Sequence, residues 1–165
     1  MKSFKKVIGI AAAAATLIAS LTGCTPKDGG TDTIKIGAIG PITGGAAIYG
    51  QAVKNGAEIA IEEINAKDGI KFELRFEDDE NDAEKAVNAY NILKDWGRQI
   101  SLGTVTTQPC IAVSTEVNAD HIFALTPSAS STDVLGGQPD KNGNVTIQRK
   151  ESMFQMCFTD PNQGL

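Results

Sequence analysis

The sequence predicts an α/β fold built as a doubly wound parallel sheet, and three observations carry that prediction. From Ile34 onward, short apolar runs alternate with longer stretches of helical periodicity. Glycine, proline and small polar residues punctuate the joins between them. Four strand units joined by three helices require right-handed crossovers, which make neighbouring strands parallel.

The elements follow in order. Ile34 to Ile39 reads as a short apolar strand, followed by a glycine-rich loop from Gly40 to Gly45. Tyr49, Val53, Ala57, Ala60, Ile61 and Ile64 then recur at helical steps, and Gly69 closes that helix. Lys71 to Glu77 alternates charged and apolar side chains, as in a half-exposed strand near a sheet edge. Asn81 or Asp82 caps a second helix with a stripe of Ala83, Ala86, Val87, Tyr90 and Leu93, ended by Gly97. Ile100 to Leu102 starts a third strand. Thr107 and Pro109 start a third helix carrying Ile111, Val113 and Val117. Ile122 to Thr126 is a fourth strand, and helices on both faces would make the layer Rossmann-like. Residues 131 to 150 read as a long loop with a hairpin near Val145 to Gln148, and Met153 to Phe158 as a fifth strand. Asp160-Pro161 has the form of a helix cap and first turn, and the sequence stops at Leu165, which reads as a fragment of a longer protein.

Ahead of these elements stands an export signal, residues 1–23. Lys2, Lys5 and Lys6 precede an uncharged run from Val7 to Leu21, shorter than the ~20 residues a membrane-spanning helix needs. Leu21-Thr22-Gly23-Cys24 fits a bacterial lipobox, which makes Cys24 the lipidated N-terminus after cleavage. The chain is then exported and held at the outer face of the cytoplasmic membrane, on its extracellular or periplasmic side. Residues 24–33, broken by Pro26, Gly29 and Gly30, read as a flexible tether between the lipid and the folded body of residues 34–165.

Without the three leader lysines, twelve basic residues face twenty acidic ones. Such a surface disfavours nucleic acid as a partner. Cys110 and Cys157 remain for one disulfide or none, because spacing does not give their geometry. No metal site is expected: zinc spacing is missing and His121 has no companion ligand. No cofactor is expected either. The glycines at 37, 40, 44 and 45 fit neither a dinucleotide fingerprint nor a P-loop. Asp78-Asp79-Glu80 reads as solvated acids at a turn, and Ser114 and Ser128 lie in no nucleophile elbow, so no catalytic residues are expected.

In such sheets ligands bind beyond the carboxyl ends of the strands. Three loops at that edge are rich in small polar residues: Thr43 to Tyr49, Thr104 to Thr107, and Thr126 to Ser130. Hydroxyls and helix N-termini suit a small anion such as a carboxylate or phosphate, although the same residues serve as ordinary turn and cap formers.

Five segments resemble one family: Ile34 to Gly44 with Tyr49-Gly50, Ala60 to Ile70, Asp78-Asp79, Leu125 to Ser130, and Phe154 to Gly164. Their order and spacing are similar to those of the substrate-binding lipoproteins of branched-chain amino acid (leucine/isoleucine/valine) ABC transporters, type I periplasmic binding proteins. The resemblance implies a first lobe of two, with the second missing, closing on an amino acid for delivery to a membrane permease. It also implies ligand contacts from Thr107, whose hydroxyl would take the carboxylate, from Ser128 and Ser130, and from Tyr49 lining the cleft. A sensory ectodomain of the same fold, or a site for a small amide, urea-type or aromatic solute, are the alternatives. An exported hydrolase lacks a motif to support it.

Overall fold

The computed structural model describes residues 33–163. The leader, Cys24 and the tether up to residue 32 lie outside the described residues. Five parallel strands form one sheet in the order β2-β1-β3-β4-β5. They are β1 (Ile34–Gly40), β2 (Phe72–Asp78), β3 (Ile100–Leu102), β4 (Ala124–Thr126) and β5 (Met153–Gln155). Three helices connect the first four: α1 (Ala47–Asn65), α2 (Ala83–Asp95) and α3 (Thr107–Ala119). The α/β parallel layer expected from the alternating periods is the one observed, with β2 at an edge as its alternation predicts.

Strand order decides where the helices lie. The step from β1 to β2 runs one way along the sheet, while those from β2 to β3 and β3 to β4 run the other way. Right-handed crossovers therefore set α1 on one face and α2 with α3 on the opposite face. The core fills the α2/α3 side: Ile39, Ala86, Tyr90, Leu93, Cys110, Val113, Val117, Ala124 and Met153 are buried together. Tyr90 also donates to Asp120 across the two helices at 2.8 Å, which joins a core ring to a surface carboxylate.

The other face is only partly covered. Phe123 and Phe154 stack there with ring centroids 5.1 Å apart, and Met156 and Phe158 are 71% and 76% exposed. The α1 helix also departs from its sequence reading. In its predicted stripe Tyr49, Ala60 and Ile64 are exposed while Val53, Ala57 and Ile61 are half-buried, and the one fully buried residue is Gly50. The helix ends at Asn65, before Gly69, because the Asn65 side chain both accepts from Phe72 N–H and donates to Phe72 O at 2.8 Å. Lys71 Nζ meanwhile takes the terminal carbonyls of Asn65 and Lys67 at 2.6 Å, as a cation suits a helix C-terminus.

Asp82, one of the two cap candidates, caps α2 by accepting from Lys85 N–H at 2.9 Å. The long loop before β5 is tied down by a buried lysine. Lys150 Nζ donates to Ser114 Oγ at 2.7 Å and to Asp133 O at 3.0 Å, so the loop is pinned to the middle of α3. Burial pushes the Lys150 pKa below its usual value. The hairpin expected in this loop is present as an antiparallel bridge between Pro139 and Val145. Met153 to Phe158 is a strand only as far as Gln155. The turn expected at Asp160-Pro161 is a 3-10 turn, Asp160–Asn162, preceded by Thr159 at its N-cap. Cys110 and Cys157 are unpaired thiols.

Candidate functional site

The carboxyl ends of β1, β3 and β4 bring three loops to one edge of the sheet. Asp78, the last residue of β2, fixes the first loop: its Oδ1 accepts from Ile42 N–H at 2.9 Å and its Oδ2 from the Thr43 hydroxyl at 2.5 Å. Those bonds hold the Asp78 carboxyl below its usual pKa, against the opposing effect of its partial burial. Gly50, early in α1, lies directly on Pro41 of the same loop, where a Cβ would meet the Pro41 carbonyl at 1.9 Å. That close approach fixes how α1 leaves the sheet, and with it where Tyr49 stands.

The other two loops are bound to each other by hydroxyls. Thr126 Oγ1 donates to Thr104 O at 2.7 Å and accepts from Ala129 N–H at 3.1 Å. Thr104 Oγ1 donates to Thr106 O at 3.1 Å, and Ser128 Oγ donates to Val105 O at 2.7 Å. Three of the hydroxyls in this region are therefore consumed in holding backbone. Thr106 differs. It has extended dihedrals and stands at the N-cap of α3, its carbonyl accepting from Cys110 N–H at 3.1 Å. Its hydroxyl caps nothing, and Thr106 Oγ1 is buried without a hydrogen-bond partner.

Tyr49, Val105, Thr106, Thr107 and Ser128 together line a cavity of about 320 Å³. Three of the four predicted ligand residues, Tyr49, Thr107 and Ser128, thus meet around one space. Ser130 is not among its lining residues; it lies half-buried two positions beyond Ser128, with its carbonyl taken by Asp160 N–H at 2.9 Å. The sequence reading missed Thr106. Its signal was its place immediately before the predicted helix start, which is where a capping hydroxyl belongs. A larger groove of about 450 Å³ lies between α2 and α3, lined by Ala83, Glu84, Val87, Asn88 and Ala112. It lies between the helices of the covered face, beside the first turns of α2, and no hydroxyl lines it.

The smaller cavity offers what a carboxylate requires. The N–H groups of Thr107 and Gln108 at the start of α3 have no intrahelical acceptor, and the helix dipole favours negative charge at that end. Thr106 also lines it, with its unspent hydroxyl buried beneath the surface, and Val105 with the Tyr49 ring supplies apolar wall. Among the described residues, no group of three or more His, Cys, Asp or Glu side chains is placed to hold a metal ion. None of the described helices is long and apolar enough to cross a membrane.

Comparison with known proteins gives the family of the chain. The family model described as periplasmic binding protein matches residues 33–152. The chain is 35% identical over 134 residues to Leu/Ile/Val-binding protein homolog 3 of Brucella melitensis, covering 79% of this chain and 33% of that protein. It is 37% identical over 123 residues to Leu/Ile/Val-binding protein BraC3 of Rhizobium johnstonii, covering 73% and 33%. Among solved structures, it is similar to the leucine-binding protein LivK of Thermotoga maritima, with a TM-score of 0.68 and 26% identity over 80% of this chain and 35% of that one. The branched-chain amino acid transporter substrate-binding protein LivJ of Streptococcus pneumoniae, solved with isoleucine, gives a TM-score of 0.65 and 25% identity over 78% and 34%. The chain spans about a third of the length of the relatives it matches. It belongs to the periplasmic binding protein family.

Proposed function

We propose that this member of the periplasmic binding protein family is the ligand-gripping N-terminal lobe of an exported receptor. The receptor captures an amino acid, most directly a branched-chain one, and delivers it to the membrane permease of an ABC transporter. One observation carries the reading: a cavity at the carboxyl edge of the sheet lined by Thr106 and Thr107 at the N-terminus of α3, beside the buried, unpartnered Thr106 hydroxyl. That arrangement suits an α-carboxylate, bound by charge-assisted hydrogen bonds from preorganised donors. The branched-chain side chain is suggested by the relatives named for leucine, isoleucine and valine and by the apolar Val105 and Tyr49 wall.

In this proposal Thr107 contributes an N–H and a hydroxyl, Ser128 main-chain groups, Ser130 its N–H and hydroxyl, and Tyr49 a ring that covers the ligand. Residues 34–165 form the lobe, 24–33 the tether, and 1–23 the signal. The role is that of a binding protein and not of an enzyme.

Amide NMR of the 165-residue chain tests the site. Leucine at high concentration is expected to shift the Thr106, Thr107 and Ser128 amides, whereas leucinamide, which lacks the carboxylate, leaves them in place. Equal shifts from both compounds would remove the carboxylate from the argument. Binding is expected to be weak, because one lobe buries only part of the ligand. The anchor is tested separately. In a bacterial host the chain is expected in the membrane fraction, and Cys24→Ser is expected to release it; a variant still retained would refute lipidation at Cys24.

A further inference from the structure

The turn between β2 and α2 gathers acidic residues into strained backbone. Asp82 N–H donates to Asp79 O at 2.8 Å, closing a four-residue turn. Its central residues, Glu80 and Asn81, both lie in the left-handed region, at φ 49° and 63°, which is unfavourable for residues with a Cβ. Carboxylates hold the turn in shape. Asp78 Oδ1 accepts from Glu80 N–H at 2.9 Å, and Asp79 Oδ1 accepts from Asn81 N–H at 2.8 Å. The same Asp78 carboxylate holds the glycine loop through Ile42 and Thr43, and Asp79 N–H reaches Gly40 O at 3.3 Å. Turn and loop are thus one hydrogen-bonded unit.

Asp79 is the exception within that unit. It is completely buried, and its Oδ2 has no hydrogen-bond partner. The charged groups around it are Asp78 at the end of β2, Glu80 in the turn, and Asp82 and Lys85 on α2; residues 40–46 of the glycine loop carry no charge. The one cation of the set, Lys85, is engaged at the surface by Glu80 at 2.6 Å. An ionised Asp79 is therefore a buried negative charge beside two others, Asp78 and Asp82, with no cation bonded to it. A protonated Asp79 is neutral and turns Oδ2 into a donor. Burial first, then the Asp78 and Asp82 charges, push its pKa up to about 6, against the lowering by the Asn81 N–H.

We propose that Asp79 is a proton-operated latch on the glycine loop: protonated, it keeps the left-handed turn and the loop ordered, and ionised, it loosens both. The loop leads directly into α1 and Tyr49, so the latch sets the order of that wall of the cavity. The inference rests on the turn itself and holds whatever the ligand is.

The test is a carbon-detected NMR titration of the 165-residue chain from about pH 4.5 to about pH 8. It is combined with hydrogen-exchange protection factors at Ile42, Asn81 and Asp82. The Asp79 carboxyl is expected to titrate near pH 6, and protection at those amides to fall by about tenfold or more as pH rises from the ordinary carboxylate range toward that midpoint and to level off above it. Protection at Tyr90 and Val113 in the core is expected to stay level, and Asp79→Asn to flatten the three loop and turn curves. An Asp79 midpoint in the ordinary carboxylate range would overturn the latch, as would loop protection that stays level up to the midpoint. If Asp79→Asn does not fold, a protection curve in the unaltered chain that levels off at the Asp79 midpoint supports the latch, and one that keeps falling above it or is level below it overturns it.

Discussion

Gly50→Ala is expected to destabilise the lobe by about 1–3 kcal/mol or more, lowering its Tm by about 5 °C or more. The alanine Cβ would stand 1.9 Å from the Pro41 carbonyl oxygen, 2.5 Å from its carbon and 2.9 Å from its nitrogen. All three are backbone atoms, so no side chain can rotate away. Relief requires α1 to lift off the loop, and the loop is held from the far side by Asp78. The control lies in the same helix. Gly56 has nothing within 4 Å of a built Cβ, so Gly56→Ala is expected to stabilise by about 0.5–1 kcal/mol through helix propensity alone. Urea unfolding of the two variants reads opposite signs if the account is right. A neutral Gly50→Ala would show that the contact between α1 and Pro41 yields freely.

Thr106→Val is expected to leave folding intact and weaken amino acid binding by about 10- to 100-fold, the loss of one hydrogen bond to a charged group, about 1.5–3 kcal/mol. Folding should survive because the hydroxyl bonds to nothing in the protein, and valine fills nearly the same volume. Thr126→Val provides the contrast. The Thr126 hydroxyl holds Thr104 O and Ala129 N–H within the core edge, so its removal is expected to cost stability first. Thr107→Val should weaken binding less than Thr106→Val, since the Thr107 N–H remains at the helix end. Leucine titrations followed by NMR rank the three. Unchanged affinity in Thr106→Val would exclude its hydroxyl from the site.

Much of the fold was legible because its signals are local. The strand of Ile34 to Ile39, the cap at Asp82 and the alternation of Phe72, Leu74 and Phe76 each depend on a few neighbouring residues. Sheet order was less so, because hydrophobic period carries no information about which strand pairs with which. The half-covered α1 stripe has a related reason: apolar residues at helical spacing show that a face exists, not what covers it. In the site, Thr104, Thr106 and Thr107 look alike in sequence. Only the backbone separates them, by turning Thr104 inward to Thr106 O and leaving Thr106 with an unspent donor. Lys150 was invisible as a buried residue, since its partners Ser114 and the Asp133 carbonyl lie far from it along the chain.

The hydroxyl ladder that joins the loops after β3 and β4 has a consequence for how a ligand is received. Two bonds, from Thr126 to Thr104 O and from Ser128 to Val105 O, tie the two loops into one body, and Thr104 to Thr106 O and Ala129 N–H to Thr126 Oγ1 brace each loop within itself. The entropy of arranging the donors is then spent when the lobe folds and not when the ligand arrives. In the proposed binding role, this wall would be a fixed template shaped before any ligand arrives. Adjustment on binding falls to the third wall, where Tyr49 stands on a helix with little burial of its own.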